Sequence, residues 1–164
     1  MPDTVNGLPL HPLVVHVVVV LLPLAAIGVA ALAVRPSWRG RYGALVVVIT
    51  ALATLAVPLA SSSGEDLEHR VGDPGVHAEL GDTLIWFAIP LLAVAVALFW
   101  LHRRASRPAG RPTGTSGKVA VLVAALAVVV AAANLVQVYR VGDSGAKAVW
   151  GNTPAASAGH GDDD

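Results

Sequence analysis

Six histidines, no cysteine and one methionine set the chemistry open to this 164-residue chain. Disulfides, thiolate metal sites, iron–sulfur clusters and covalent c-type haem all require cysteine. The sole methionine is Met1, so a methionine axial ligand is not expected. A haem or transition metal would therefore be held by imidazoles, with carboxylates or backbone in support. His11, His16, His69, His77 and His160 fall on one side of a membrane that the chain is expected to cross four times, and His102 falls on the other. Two imidazoles on different helices at matched depth can ligate haem iron or a metal. His16 with His77 is the preferred pair, and His11 with His69 supplies a second pair or propionate partners. The competing reading of the same four residues is structural: histidines near helix ends cap helices, bond loop carbonyls or face water. Asn134 and Gln137 place further polar groups one turn apart within the fourth span, where polar side chains usually face the bundle interior.

These residues need helices to hold them at that depth. Hydrophobic residues make up 55% of the chain and charged residues 13%, with a mean hydropathy of +0.67. Four stretches carry no Asp, Glu, Lys or Arg: Thr4 to Val34, Tyr42 to Gly64, Thr83 to Leu101 and Val119 to Tyr139. Roughly 20 apolar residues cross the hydrocarbon as a helix. In lipid the backbone must bond internally, so the valine runs are read as helix and not as buried strands. The expected fold is an all-α integral membrane protein, a four-helix up-and-down bundle. Its spans lie at about 12–34, 42–60, 80–101 and 119–139 within a domain of residues 1–151, followed by a disordered polar tail over 152–164.

Charge in the connections orients the bundle. The first holds Arg35, Arg39 and Arg41, and the third holds Arg103, Arg104, Arg107, Arg111 and Lys118, with no acid in either. The second, Ser61 to Glu79, has five acids against Arg70 alone. By the positive-inside rule the basic connections are cytoplasmic, and both termini are extracytoplasmic. Trp38, Tyr42, Phe99 and Trp100 mark the inner interface; Trp86, Tyr139 and Trp150 mark the outer one. The basic third connection reads as a flexible linker and an orientation signal, with anionic lipid headgroups as the alternative. There is no basic arm for nucleic acid. No Gly-x-Ser-x-Gly elbow, phosphate loop or HExxH motif signals an enzyme.

Arg70-Val-Gly-Asp-Pro-Gly-Val-His-Ala78 and Arg140-Val-Gly-Asp-Ser-Gly-Ala-Lys-Ala148 agree at six of nine positions. Each follows a pair of spans, which suggests a 2+2 parallel repeat about an axis along the membrane normal. Asp73 before Pro74 reads as an N-cap. Asp143 reads as the start of a short interfacial helix ending near Trp150. Ser62 with Glu65 fits a capping box, opening a surface helix that carries His69.

His11-Pro-Leu-Val-Val-His16 and Leu21-Leu22-Pro23 resemble the HPxxVHFPIALLP opening of a bacterial four-helix membrane protein family of unknown function. His69-Arg70, His77-Ala-Glu-Leu-Gly81 and Ser144-Gly145-Ala-Lys-Ala-Val-Trp150 extend the resemblance over most of residues 7 to 151. It implies an integral membrane protein of the bacterial cytoplasmic membrane, with a suspected relation to b-type cytochromes. Val17-Val18 replaces the family's Phe-Pro, and Asp143 stands where many members carry histidine. Two functions follow for testing. One is binding of haem b or a transition metal near the outer face, not covalently attached, supporting electron transfer to a redox or membrane-protein partner. The other is a non-catalytic scaffold or accessory subunit with structural histidines.

Overall fold

The computed structural model describes residues 4–5, 8–72, 75–106 and 114–151. Two short strands, β1 (Thr4–Val5) and β2 (Leu8–Pro9), pair antiparallel with Thr4 opposite Pro9. Five helices follow: α1 (Leu10–Val34), α2 (Arg39–Val71), α3 (Val76–Thr83), α4 (Ile85–Ala105) and α5 (Gly114–Trp150). Four stretches, His11–Val34, Pro36–His69, Val76–Ala105 and Gly117–Trp150, are long and apolar enough to cross a membrane. α1 packs on α2 and α5, and α4 packs on the same two, closing a four-helix up-and-down bundle. The short α3 rides against α5 at the end where α1 begins.

Lipid tails are as apolar as leucine, so close packing rather than water exclusion must hold these helices together. The buried surface suits that demand. Ala25, Ala26, Ala53, Ala56, Ala88, Ala95, Ala127 and Ala131 let backbones approach, and Leu22, Val29, Leu91 and Leu98 fill the remaining space. Valines and leucines along the outside, such as Val20, Leu55, Leu122 and Val129, stay exposed, as a lipid-facing surface requires.

Three expectations about helix ends are corrected. Ser62 opens no helix: α2 runs unbroken through it to Val71, and the Ser62 hydroxyl bonds back to the Leu59 carbonyl at 3.3 Å. Asp143 starts no new helix either, because α5 is continuous through Trp150. A helix end costs several kcal/mol per unpaired backbone group in lipid, so continuation is the cheaper course near the bilayer. The third crossing is divided instead. Leu84 N–H bonds to Gly81 O at 3.0 Å, three residues back, and this break separates α3 from α4. The Leu80 carbonyl is then satisfied by Thr83 Oγ1 at 2.8 Å and Gln137 Nε2 at 3.2 Å. The basic third connection is also shortened at both sides, by α4 reaching Ala105 and α5 starting at Gly114. The Asp73–Pro74 cap, the tail over 152–164 and His160 lie outside the described residues.

At the opposite end, the side chain of Arg39 is buried and closes α1. Its Nε donates to Leu32 O at 2.8 Å and its Nη2 to Ala33 O at 3.1 Å. The last carbonyls of a helix lack intrahelical donors and carry partial negative charge. A guanidinium there meets both needs.

Candidate ligand cavity at the histidine end

His11 lies in the first turn of α1, beside Pro12, and its ring is half-buried against α2. Its Nδ1 is 3.1 Å from Ala60 O and 3.2 Å from Ser63 Oγ. Ser63 Oγ itself donates to Ala60 O at 3.0 Å. A carbonyl oxygen only accepts, so Nδ1 is the donor, and in the neutral ring Nε2 then keeps its lone pair. His77, in the first turn of α3, repeats the arrangement against α5. Its Nδ1 is 3.1 Å from Val141 O and 3.3 Å from Ser144 Oγ, and Ser144 Oγ donates to Val141 O at 2.9 Å. The same reasoning makes Nδ1 the donor in His77.

A glycine follows each serine and makes room for the ring. A Cβ at Gly64 would stand 3.0 Å from His11 Cε1, and one at Gly145 would stand 2.9 Å from His77 Cε1. A side chain at either position would press on the imidazole. The paired elements are Ser63–Gly64 and Ser144–Gly145. That is a different register from the Arg70 and Arg140 segments whose sequences match.

Both imidazoles border one cavity of about 530 Å³ between the helix ends. Val15, Val18, Val57, Leu84 and Val138 make much of its wall, and Glu65, Glu68 and Asp82 stand on it as well. The size falls within the roughly 300–1,000 Å³ of small-ligand pockets, and the mix of apolar wall and few polar groups is typical of them.

The cavity does not bring together His16 and His77. His16 is exposed on α1, with Nδ1 at the Pro12 carbonyl of its own helix, and it does not border the cavity. His69 is exposed near the end of α2 and does not border it either. His102 sits at the far end of the bundle against Gly40. Among the described residues, no group of three or more His, Asp or Glu side chains is arranged to hold a metal ion.

Asn134 and Gln137 are buried, as their position in the fourth span suggests, but they stand beside the cavity wall rather than on it. Asn134 Nδ2 donates to Phe87 O at 2.8 Å and Val130 O at 3.1 Å. Its Oδ1 has no partner among the described residues. Gln137 Nε2 donates to Thr83 Oγ1 at 2.8 Å in addition to Leu80 O. Asp143 forms an exposed i,i+4 ion pair with Lys147 at 2.7 Å; surface pairs of this kind contribute little. Sequence reasoning missed Ser63, Gly64, Ser144 and Gly145 as ring-holding residues. The Ser-Gly dipeptide common to the ends of α2 and α5 was the available signal.

A family model described as "Predicted membrane protein (DUF2231)" matches residues 7–155, and the chain belongs to that family. No curated protein and no solved structure matches the chain.

Proposed function

We propose that this family member binds haem b at the histidine end, where His11 and His77 are the residues that would hold it through Nε2. The observation carrying this reading is that both imidazoles border one cavity while their Nδ1–H groups are already committed to carbonyls. A metal-ligating histidine nearly always donates its other N–H in this way, which fixes the ring and raises its basicity. Two imidazoles are too few for a bare metal ion held by protein alone. They suffice for a group that brings its own four equatorial nitrogens. Haem b, when bound there, would supply one-electron transfer. The chain's part is to clamp the rings, to exclude water with Val15, Val18, Val57, Leu84 and Val138, and to set the local potential. The carboxylates of Glu65, Glu68 and Asp82 favour the more positively charged oxidation state.

The loop charges support an orientation with this end extracytoplasmic in a bacterial cytoplasmic membrane, where a redox or membrane-protein partner would approach. An absorption spectrum of detergent-purified protein after haem supplementation tests the reading. A Soret band is expected, lost in both His11→Ala and His77→Ala and kept in His16→Ala. Absence of the band, or a band indifferent to both substitutions, overturns it.

A second reading has its own support: each imidazole already ties two helices together through Nδ1. A scaffold with structural histidines predicts no bound haem or metal, and destabilisation by His11→Ala and His77→Ala that added haem does not change.

A further inference from the structure

The arginine end of the bundle carries a second recognition surface, independent of the haem reading. Four guanidiniums there each lie over an aromatic ring: Arg35 over Trp38 at 4.9 Å, Arg41 over Tyr42 at 5.4 Å, Arg103 over Phe99 at 5.8 Å and Arg104 over Trp100 at 5.2 Å. Trp38 and Tyr42 meet edge to face at 5.9 Å, so the first two pairs form one unit.

The other two pairs are brought beside that unit by glycines. A Cβ at Gly43 would stand 2.6 Å from Phe99 Cδ2, and one at Gly40 would stand 3.0 Å from His102 Nε2. The first turns of α2 therefore lie directly on the last turns of α4. All four guanidiniums are exposed, while Arg39, at the same end, is spent on the α1 carbonyls. No Asp or Glu occurs in the sequence from Arg35 to Gly64 or from Ile85 to Lys118, so these segments offer the patch no internal counter-charge.

We propose that this patch binds the phosphate of an anionic phospholipid headgroup. Stacking a guanidinium on a ring occupies its face and leaves its N–H edge for two parallel bonds to a phosphate. Interfacial Trp and Tyr rings set that edge at headgroup depth. Exposed Val34, Leu45 and Val48 continue the surface towards the bilayer centre, where acyl chains would run. A soluble phosphate would make no use of that apolar continuation. An orientation signal needs only positive charge, whereas this surface also fixes the plane of each charge.

The test equilibrates the full purified chain with mixed phosphatidylglycerol and phosphatidylcholine of identical acyl chains, and measures lipid retained by native mass spectrometry. About tenfold preference for the anionic lipid is expected, from forked guanidinium bonds to a phosphate that carries no neighbouring ammonium. Removing the arginines outright could invert the topology or stop insertion. The decisive variant is therefore Arg35→Lys/Arg41→Lys/Arg103→Lys/Arg104→Lys, which keeps the charge and loses the fork. It should lose most of the preference, and Trp38→Leu/Trp100→Leu should lose part. Equal retention of both lipids, or full preference in the lysine variant, overturns the proposal. Displacement of phosphatidylglycerol by millimolar inorganic phosphate would identify a free-phosphate site and overturn the lipid assignment.

Discussion

The two histidines of the cavity are held by the same set of groups on differently built helices. His11 belongs to α1, a continuous helix of 25 residues. His77 belongs to α3, which has eight residues and breaks from α4 at Leu84. The receiving helices nonetheless offer matching sets: a carbonyl, a serine hydroxyl bonded back to that same carbonyl, and a glycine facing the ring. The comparison teaches that ring placement is decided by the receiving helix and not by the one that carries the histidine. It also shows what the broken half needs in addition. Thr83 and Gln137 meet the carbonyl opened at Leu80, and Asn134 meets Phe87 O just before Pro90.

The glycines give the largest effect. In Gly64→Ala and Gly145→Ala the new methyl would stand at 3.0 and 2.9 Å from an imidazole carbon, so the ring must give by a few tenths of an ångström and its Nδ1 bonds weaken. Alanine gains about 0.8–1 kcal/mol in helix propensity over glycine, which roughly offsets a lost interhelical hydrogen bond of about 0.6 kcal/mol in a bilayer. Thermal stability in detergent should therefore hardly change, while haem affinity falls by about tenfold or more, the loss expected when an outer-shell contact of a ligating histidine is removed. The two variants should match. Unaltered haem titrations in both would show that ring placement is irrelevant to binding.

Gln137→Leu should separate the halves. It removes the donors to Leu80 O and Thr83 Oγ1 on the His77 side alone. A cost of about 1–2 kcal/mol is expected from the carbonyl and hydroxyl left less well satisfied, read as a shift in denaturation by SDS. Thr54→Val tests α2 in the other half. Thr54 Oγ1 bonds back within α2 at 2.8 Å and reaches Ala88 O only at 3.4 Å, so its cost should be a few tenths of a kcal/mol. Equal costs for the two would mean that the break at Leu84 carries no special demand.

The four crossings were legible because length and lack of charge leave helix as the sole structure for lipid. Burial of Asn134 and Gln137 was legible for a related reason, since an amide facing hydrocarbon is costly. The choice of histidine partner was not. His11 and His16 lie five positions apart on α1, more than one turn, so they leave the helix in different directions. No count of depth along the chain shows which of them faces α2. That depends on Gly64, whose missing side chain opens the space His11 occupies. The Arg70 and Arg140 match does not mark the shared contacts: these fall at Ala60 and Ser63, about two to three turns before Arg70 in α2, and at Val141 and Ser144, within about one turn after Arg140 in α5.

The serines should give an effect as small as that of Thr54→Val, and they sharpen the comparison most finely. Each hydroxyl bonds back to the carbonyl that also receives the imidazole N–H, Ser63 to Ala60 and Ser144 to Val141. Ser63→Ala and Ser144→Ala therefore leave the Nδ1–H with its carbonyl acceptor and leave no donor stranded. Each should cost about 0.5 kcal/mol or less in SDS denaturation, without loss of the Soret band. The His11 and His77 versions should agree within error if the receiving helix alone sets the ring. A larger loss for Ser144→Ala would mean that the short α3 relies on its partner more than the continuous α1 does, and that the two holds are alike in geometry but unequal in strength.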